Sequence, residues 1–165
     1  MNNMLVRDKR EKPKDITFHY TNEQMVKDLI AITPISGSVL DAGSGKNKVW
    51  FNNLQGDKYE CEIEDGCDFY KWDKKVDWIV GNPPFSEMKD FIKKGCEIAT
   101  KGFAWLLSIR GLNSLTPKRL EQIKISGFYL QRIQIVSDKR WYGRYYYLIF
   151  TKEPNNFLSW NGNTY

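Results

Sequence analysis

A chain of 165 residues with 41% hydrophobic content can close one domain around a real core, and is too short for several. Its 25 Lys and Arg against 20 Asp and Glu leave a net charge of +5, which favours a polyanionic partner without requiring one. No apolar run approaches membrane-span length and no signal-like stretch opens the chain, so a cytoplasmic protein with no membrane partner is expected.

The three cysteines fit a reducing compartment as ordinary buried or half-buried thiols. Neither their spacing nor the single His19 points to a metal site. His19 suits either a pocket lining or packing at a helix entrance.

Residues 1–15 read as a flexible basic arm, 16–153 as the folded domain and 154–165 as a loosely ordered, Asn-rich tail. Thr21-Asn22-Glu23-Gln24 has the capping-box pattern with Thr21 as N-cap. Met25, Val26, Leu29 and Ile30 then give one apolar helical face that ends near Pro34. A strand is expected near 38–41, then a Gly-rich turn and a helix around 47–54. Strands follow near 59–63 and 76–81, and a helix over 86–100. Phe103-Ala104-Trp105-Leu106-Leu107 reads as a buried parallel strand. A helix near 117–125 and strands near 128–136 and 144–151 complete the chain.

Alternating strands and helices predict an α/β fold: a mostly parallel sheet with helices on both faces, closed by a terminal antiparallel hairpin strand. Ligands of such folds bind beyond the carboxyl ends of the parallel strands. The segments 41–47, 82–85, 108–117 and 137–143 are therefore expected on one rim. Only five residues separate Glu62 from Asp68, whereas a βαβ crossover needs about a dozen or more. The third strand and its helix are thus expected to be reduced or missing.

Chemistry concentrates in Asn82-Pro83-Pro84-Phe85, directly after the strand Val76–Gly81. The Asn82 amide oxygen can accept a hydrogen bond from an amino group, and the following proline holds Asn82 extended. Two prolines lack an N–H, which leaves the Pro83 carbonyl as a rigid acceptor, and Phe85 offers a flat face for a base. The same tetrapeptide also suits a strand ending in a proline turn. Upstream, Asp41-Ala42-Gly43-Ser44-Gly45 is a strand end entering a turn whose glycines admit close approach of a ligand. The strand Tyr59–Ile63 ends in acids where nucleotide folds place a carboxylate on ribose hydroxyls. Glu62 is preferred over Glu64, which already belongs to the turn Glu64-Asp65-Gly66. Asp68-Phe69 pairs an acid with an aromatic, a combination suited to an adenine edge and face. In the hairpin turn, Lys139, Arg140, Trp141 and Tyr142 suit a nucleic-acid strand, joined by Arg110 from the preceding rim loop; packing of the aromatics on the sheet is the alternative. Tyr145 and Tyr147 share one face of the last strand and Tyr146 the other, as structural residues.

On these residues the chain resembles the S-adenosylmethionine-dependent adenine-N6 DNA methyltransferases of the small, phage-like Asn-Pro-Pro-Phe type, over roughly residues 16 to 150. The resemblance implies a Rossmann-like methyltransferase sheet and S-adenosyl-L-methionine as cofactor. It makes Asn82, Pro83, Pro84 and Phe85 catalytic, with the target adenine flipped onto Phe85. It assigns Asp41, Gly43, Ser44 and Gly45 to the cofactor loop, Glu62 to the ribose, and Asp68 with Phe69 to the cofactor adenine. Phe18-His19-Tyr20-Thr21 is similar to the family's N-terminal cofactor motif, which brings in Tyr20 and Thr21. Two positions depart from the pattern: Asn47 stands where a third glycine is usual, and Asn22 where Pro usually follows Thr21. The resemblance implies a nucleic-acid partner, DNA favoured over RNA. With no room for a target-recognition domain, specificity is expected to be weak, short-site or lent by a partner subunit. An RNA adenine-N6 methyltransferase and a catalytically degenerate nucleic-acid-binding subunit of the same fold are the alternatives.

Overall fold

The computed structural model describes residues 21–139 and 143–154. The expected arm and tail, His19, Tyr20, Arg140, Trp141 and Tyr142 lie outside the described residues.

Helix α1 (Glu23–Ala31) is followed by strand β1 (Val39–Ala42), the short helix α2 (Val49–Asn53) and strand β2 (Lys58–Cys61). Strand β3 (Val76–Gly81), helix α3 (Met88–Ile98) and strand β4 (Ala99–Ser108) come next, then helices α4 (Ile109–Leu112) and α5 (Pro117–Ile125) and the hairpin of β5 (Tyr129–Val136) and β6 (Tyr145–Thr151). The sheet order is β2-β1-β3-β4-β6-β5; β1 to β4 run parallel, and β6 lies antiparallel between β4 and β5. Between β2 and β3 stand only two single 3-10 turns, Ile63–Asp65 and Phe69–Lys71, so no third-strand unit intervenes.

Alternation along the strands splits the core in two. On one face Val26 and Leu29 of α1 and Trp50 of α2 pack on Val39, Trp78, Val80 and Leu106. On the other, Met88, Phe91, Ile92 and Ile98 of α3 cover Leu40, Ile79, Phe103 and Trp105. With buried Gly95 between Ile92 and Ile98, these α3 positions keep the three-to-four spacing of one buried helical stripe, and each of the large side chains contributes about 1.5–3 kcal/mol. Tyr145 and Tyr147 do lie on the α1 face, where Trp50 stacks on Tyr147 at 5.6 Å, and Tyr146 lies on the other.

Two local expectations are corrected. The N-cap of α1 is Asn22 and not Thr21: the Asn22 side chain accepts from the Met25 N–H at 3.1 Å. Asn is as good a cap as Thr, and starting the helix one residue later frees Thr21 to face the site. Cys61 and Cys67 are joined in a disulfide with Cα atoms 5.0 Å apart, where three free thiols were expected. The shortened β2–β3 connection turns back at once and brings them together. Cys96 is the free cysteine, its thiol pushed up to about 11 by burial.

Candidate active site

The carboxyl ends of β1, β2, β3 and β4 form one rim, and pairing of Ser108 with Tyr145 and of Val136 with Tyr145 brings the β5–β6 turn to the same edge. The segments 41–47, 82–85 and the start of 108–117 meet there, with the described ends of 137–143.

At the end of β1, Asp41 is fully buried, and its Oδ2 accepts from the Phe51 N–H of α2 at 2.9 Å. Burial, with Glu60 and Glu62 nearby, raises the Asp41 carboxyl to about 7, against the opposing hydrogen bond from Phe51. Its Oδ1 and the hydroxyl of buried Ser44 have no partner. Gly43 and Gly45 turn with φ of +75° and +64°, and a Cβ on either would point into open space. The turn is tied to β2: Gly43 and Ser44 donate to the Cys61 carbonyl at 2.8 and 3.3 Å, and Gly45 donates to Glu62 Oε2 at 2.6 Å. Glu64 instead points outward to Lys46 at 3.6 Å, so Glu62 is the acid aimed at the glycine turn. The left-handed residue closing this turn is Lys48, at φ 47°, one place beyond Asn47. Its ammonium is held by Glu60 at 2.6 Å and Asp65 at 3.0 Å.

Asp68 is half-buried; it caps the second 3-10 turn by accepting from the Tyr70 N–H at 3.0 Å and meets Lys71 at 3.7 Å. Phe69 does not lie open to a ligand. It is 5% exposed, stacked on Phe91 at 4.8 Å and edge-on to Trp105. Without a third strand and helix, this connecting segment must itself cover the sheet edge, and Phe69 does so. Its neighbour Tyr70 is the exposed ring, at 42%, and its hydroxyl donates to Glu87 at 2.5 Å. That contact ties the Asp68 segment to the turn after Pro84. Ile63, next to Glu62 in the chain, is 71% exposed. Neither Tyr70 nor Ile63 was singled out from the sequence; an isoleucine directly after a strand-end acid was the available signal.

The Asn82 loop crosses close above β1: a Cβ on Gly81 would sit 2.5 Å from the Ala42 carbonyl oxygen, which only glycine avoids. Pro83 is buried, Pro84 exposed and Phe85 half-buried, its ring 6.1 Å from that of Tyr145. Asn82 Nδ2 donates to Thr21 Oγ1 at 3.5 Å, so the N-terminal and proline motifs meet. Asn82 Oδ1 is buried and has no donor. Beside the start of α1 a cleft of about 700 Å³ runs between Asn22, Met25 and Leu29 and the strand end at Gln134, Val136 and Lys139. Arg110 is exposed on the rim, and no carboxylate of the described residues pairs with it. Among the described residues no helix is long and apolar enough to cross a membrane.

No family model matches the chain, and no curated protein matches it. Solved structures do. Magnesium protoporphyrin IX methyltransferase from Synechocystis PCC 6803, crystallised with bound SAH, is 14% identical over 79% of this chain and 83% of its own, with a TM-score of 0.58. Ribosomal protein L11 methylase from Lactobacillus delbrueckii subsp. bulgaricus is 14% identical over 80% and 78%, with a TM-score of 0.57. A Pyrococcus horikoshii protein assigned as an RNA methyltransferase is 17% identical over 78% and 80%, at 0.50. At these identities the likeness shows the fold: a Rossmann-like sheet, mostly parallel with an antiparallel hairpin, shared with methyltransferases of differing substrates.

Proposed function

We propose that this chain is an S-adenosylmethionine-dependent methyltransferase acting on the N6 amino group of adenine in DNA. One observation carries the reading. Asn82 Oδ1, at the rim position of Asn-Pro-Pro-Phe, is a buried acceptor without a donor. Buried polar atoms are rarely left so, because an unmet one costs roughly 1–3 kcal/mol, and a substrate amino hydrogen would meet this one.

The residues of the β1 turn fit the cofactor. A cradle open at Gly43 and Gly45, unpartnered Asp41 Oδ1 and Ser44 Oγ, and the carboxylate of Glu62 match a ligand bearing an ammonium and ribose hydroxyls. S-adenosylmethionine-bound neighbours of the same fold support the choice. When bound, it supplies a methyl group on a sulfonium, an electrophile needing neither metal nor covalent intermediate. Asp68 is left for its adenine, with the apolar surface of Ile63 nearby.

The chain's own part is to make a poor nucleophile competent. The adenine amino lone pair is delocalised into the ring. Asn82 Oδ1 and the Pro83 carbonyl hold the two amino hydrogens, which draws the nitrogen towards tetrahedral geometry and aims its lone pair along the rim towards the β1 turn. Thr21 steadies the Asn82 amide so that its oxygen faces the substrate. Phe85 supplies the stacking face for a base taken out of its stack. Lys139 and Arg110 suit the strand's phosphates. Alignment by these fixed groups supplies much of the rate.

The test is Asn82→Ala. Transfer to DNA should fall by about a hundredfold or more, since a slightly misplaced reactant already costs that much. S-adenosylhomocysteine binding, measured by calorimetry, should stay within about twofold. Wild-type turnover in the variant contradicts the reading.

A further inference from the structure

Helix α4 is one turn long and begins directly after Ser108, whose neighbour across the sheet is Tyr145, the ring beside Phe85. It also lies against the turn 85–87. Within α4, Gly111 is buried against Leu107, where a Cβ would come within 3.1 Å, and Leu112 is half-buried on the core. This seating leaves Ile109 and Arg110 outward. Ile109 is 51% exposed on the rim of the candidate site, where packing of the core does not call for it. Of the other exposed isoleucines, Ile125, Ile133 and Ile135 sit on α5 and β5, and Ile63 follows Glu62 after β2.

An exposed apolar side chain on a helix that lies against the Phe85 turn, followed in the chain by a cation for the phosphate, matches the way proteins hold a DNA stack open. Such wedges enter between base steps and occupy the space that an extruded base leaves. Resting on the adenine-N6 reading above, we propose that Ile109 is a wedge that inserts into the duplex where the target adenine leaves it, with Arg110 anchoring the adjoining phosphate. Ile109 then acts on opening of the duplex and does not touch the reacting nitrogen. It is a positioning residue.

The role predicts a dependence on how the target is paired. Methylation should be compared on a duplex with the target adenine paired, on the same duplex with an abasic site opposite it, and on the single strand. Ile109→Ala should lose about tenfold in kcat/KM on the paired duplex and stay within about twofold of wild type on the other two, because unstacking costs least where pairing is absent. Ile109→Leu should restore the paired activity. In the paired duplex, 2-aminopurine at the target position should brighten with wild type and much less with Ile109→Ala. Equal losses on all three substrates would mark a folding or packing role and overturn the proposal, as would no loss on any. A wild-type enzyme active only on unpaired adenine would overturn it while leaving the chemistry of Asn82 standing. No methylation of adenine in any DNA would remove the reading beneath it as well.

Discussion

Asn82 and Asp41 are both rim residues with a buried, unmet oxygen, yet their surroundings differ. Asn82 is neutral, and its buried oxygen belongs to a residue that is itself half-exposed. Asp41 is ionisable and fully buried, and burial with Glu60 and Glu62 nearby lifts its carboxyl from 3.8 to about 7. Between these two values the folded chain keeps a proton that the unfolded chain has lost. Stability from this group is therefore greatest on the acid side and falls as pH rises from about 4 to about 7. In the cofactor-free protein, the melting temperature of wild type should fall more than that of Asp41→Asn between about pH 5 and about pH 8. Equal slopes in the two proteins would show that Asp41 ionises freely. A cationic ligand at this turn would favour the charged form, so binding should be linked to the same titration.

At the scale of elements, α1 presents its capping residue and its site residue side by side. Asn22 caps the helix while Thr21 reaches Asn82. Asn22→Ala should cost about 1 kcal/mol, lowering the melting temperature by about 2–4 °C. Thr21→Ala should leave melting nearly unchanged and lower the rate of transfer. The reverse pattern in a paired melting and activity series would return the cap to Thr21. Thr and Asn are both competent caps, so the capping-box spacing alone did not separate them. The strands were legible for a firmer reason, since runs such as Phe103–Leu107 admit little but a strand covered on both faces. The short Glu62–Asp68 spacing likewise announced the missing third strand. What it did not announce was the consequence: Phe69 fills the core in place of the absent unit, Tyr70 takes the exposed position, and Cys61 meets Cys67 across the turn. These outcomes depend on which face of a short irregular segment turns inward, and no periodicity encodes that.

For the whole molecule, the parallel order β2-β1-β3-β4 gathers chain segments far apart in sequence onto one edge. Thr21, the glycine turn, Glu62 and Asn82 meet because β1 lies between β2 and β3 and places their ends together. The hairpin β5–β6 then extends the edge past Phe85 with Lys139 exposed, where a polyanion would run. A glycine turn and an unmet amide oxygen on one rim are the arrangement on which the proposed methyl transfer to an amino group of nucleic acid rests. Its central claim is tested most directly by supplying methyl-labelled S-adenosylmethionine with DNA, RNA and protein in separate reactions, then digesting and separating the products. Label should appear in the DNA digest as N6-methyladenosine's deoxy form and vanish with Asn82→Ala; label confined to RNA or protein, label on another base, or no transfer at all would contradict it.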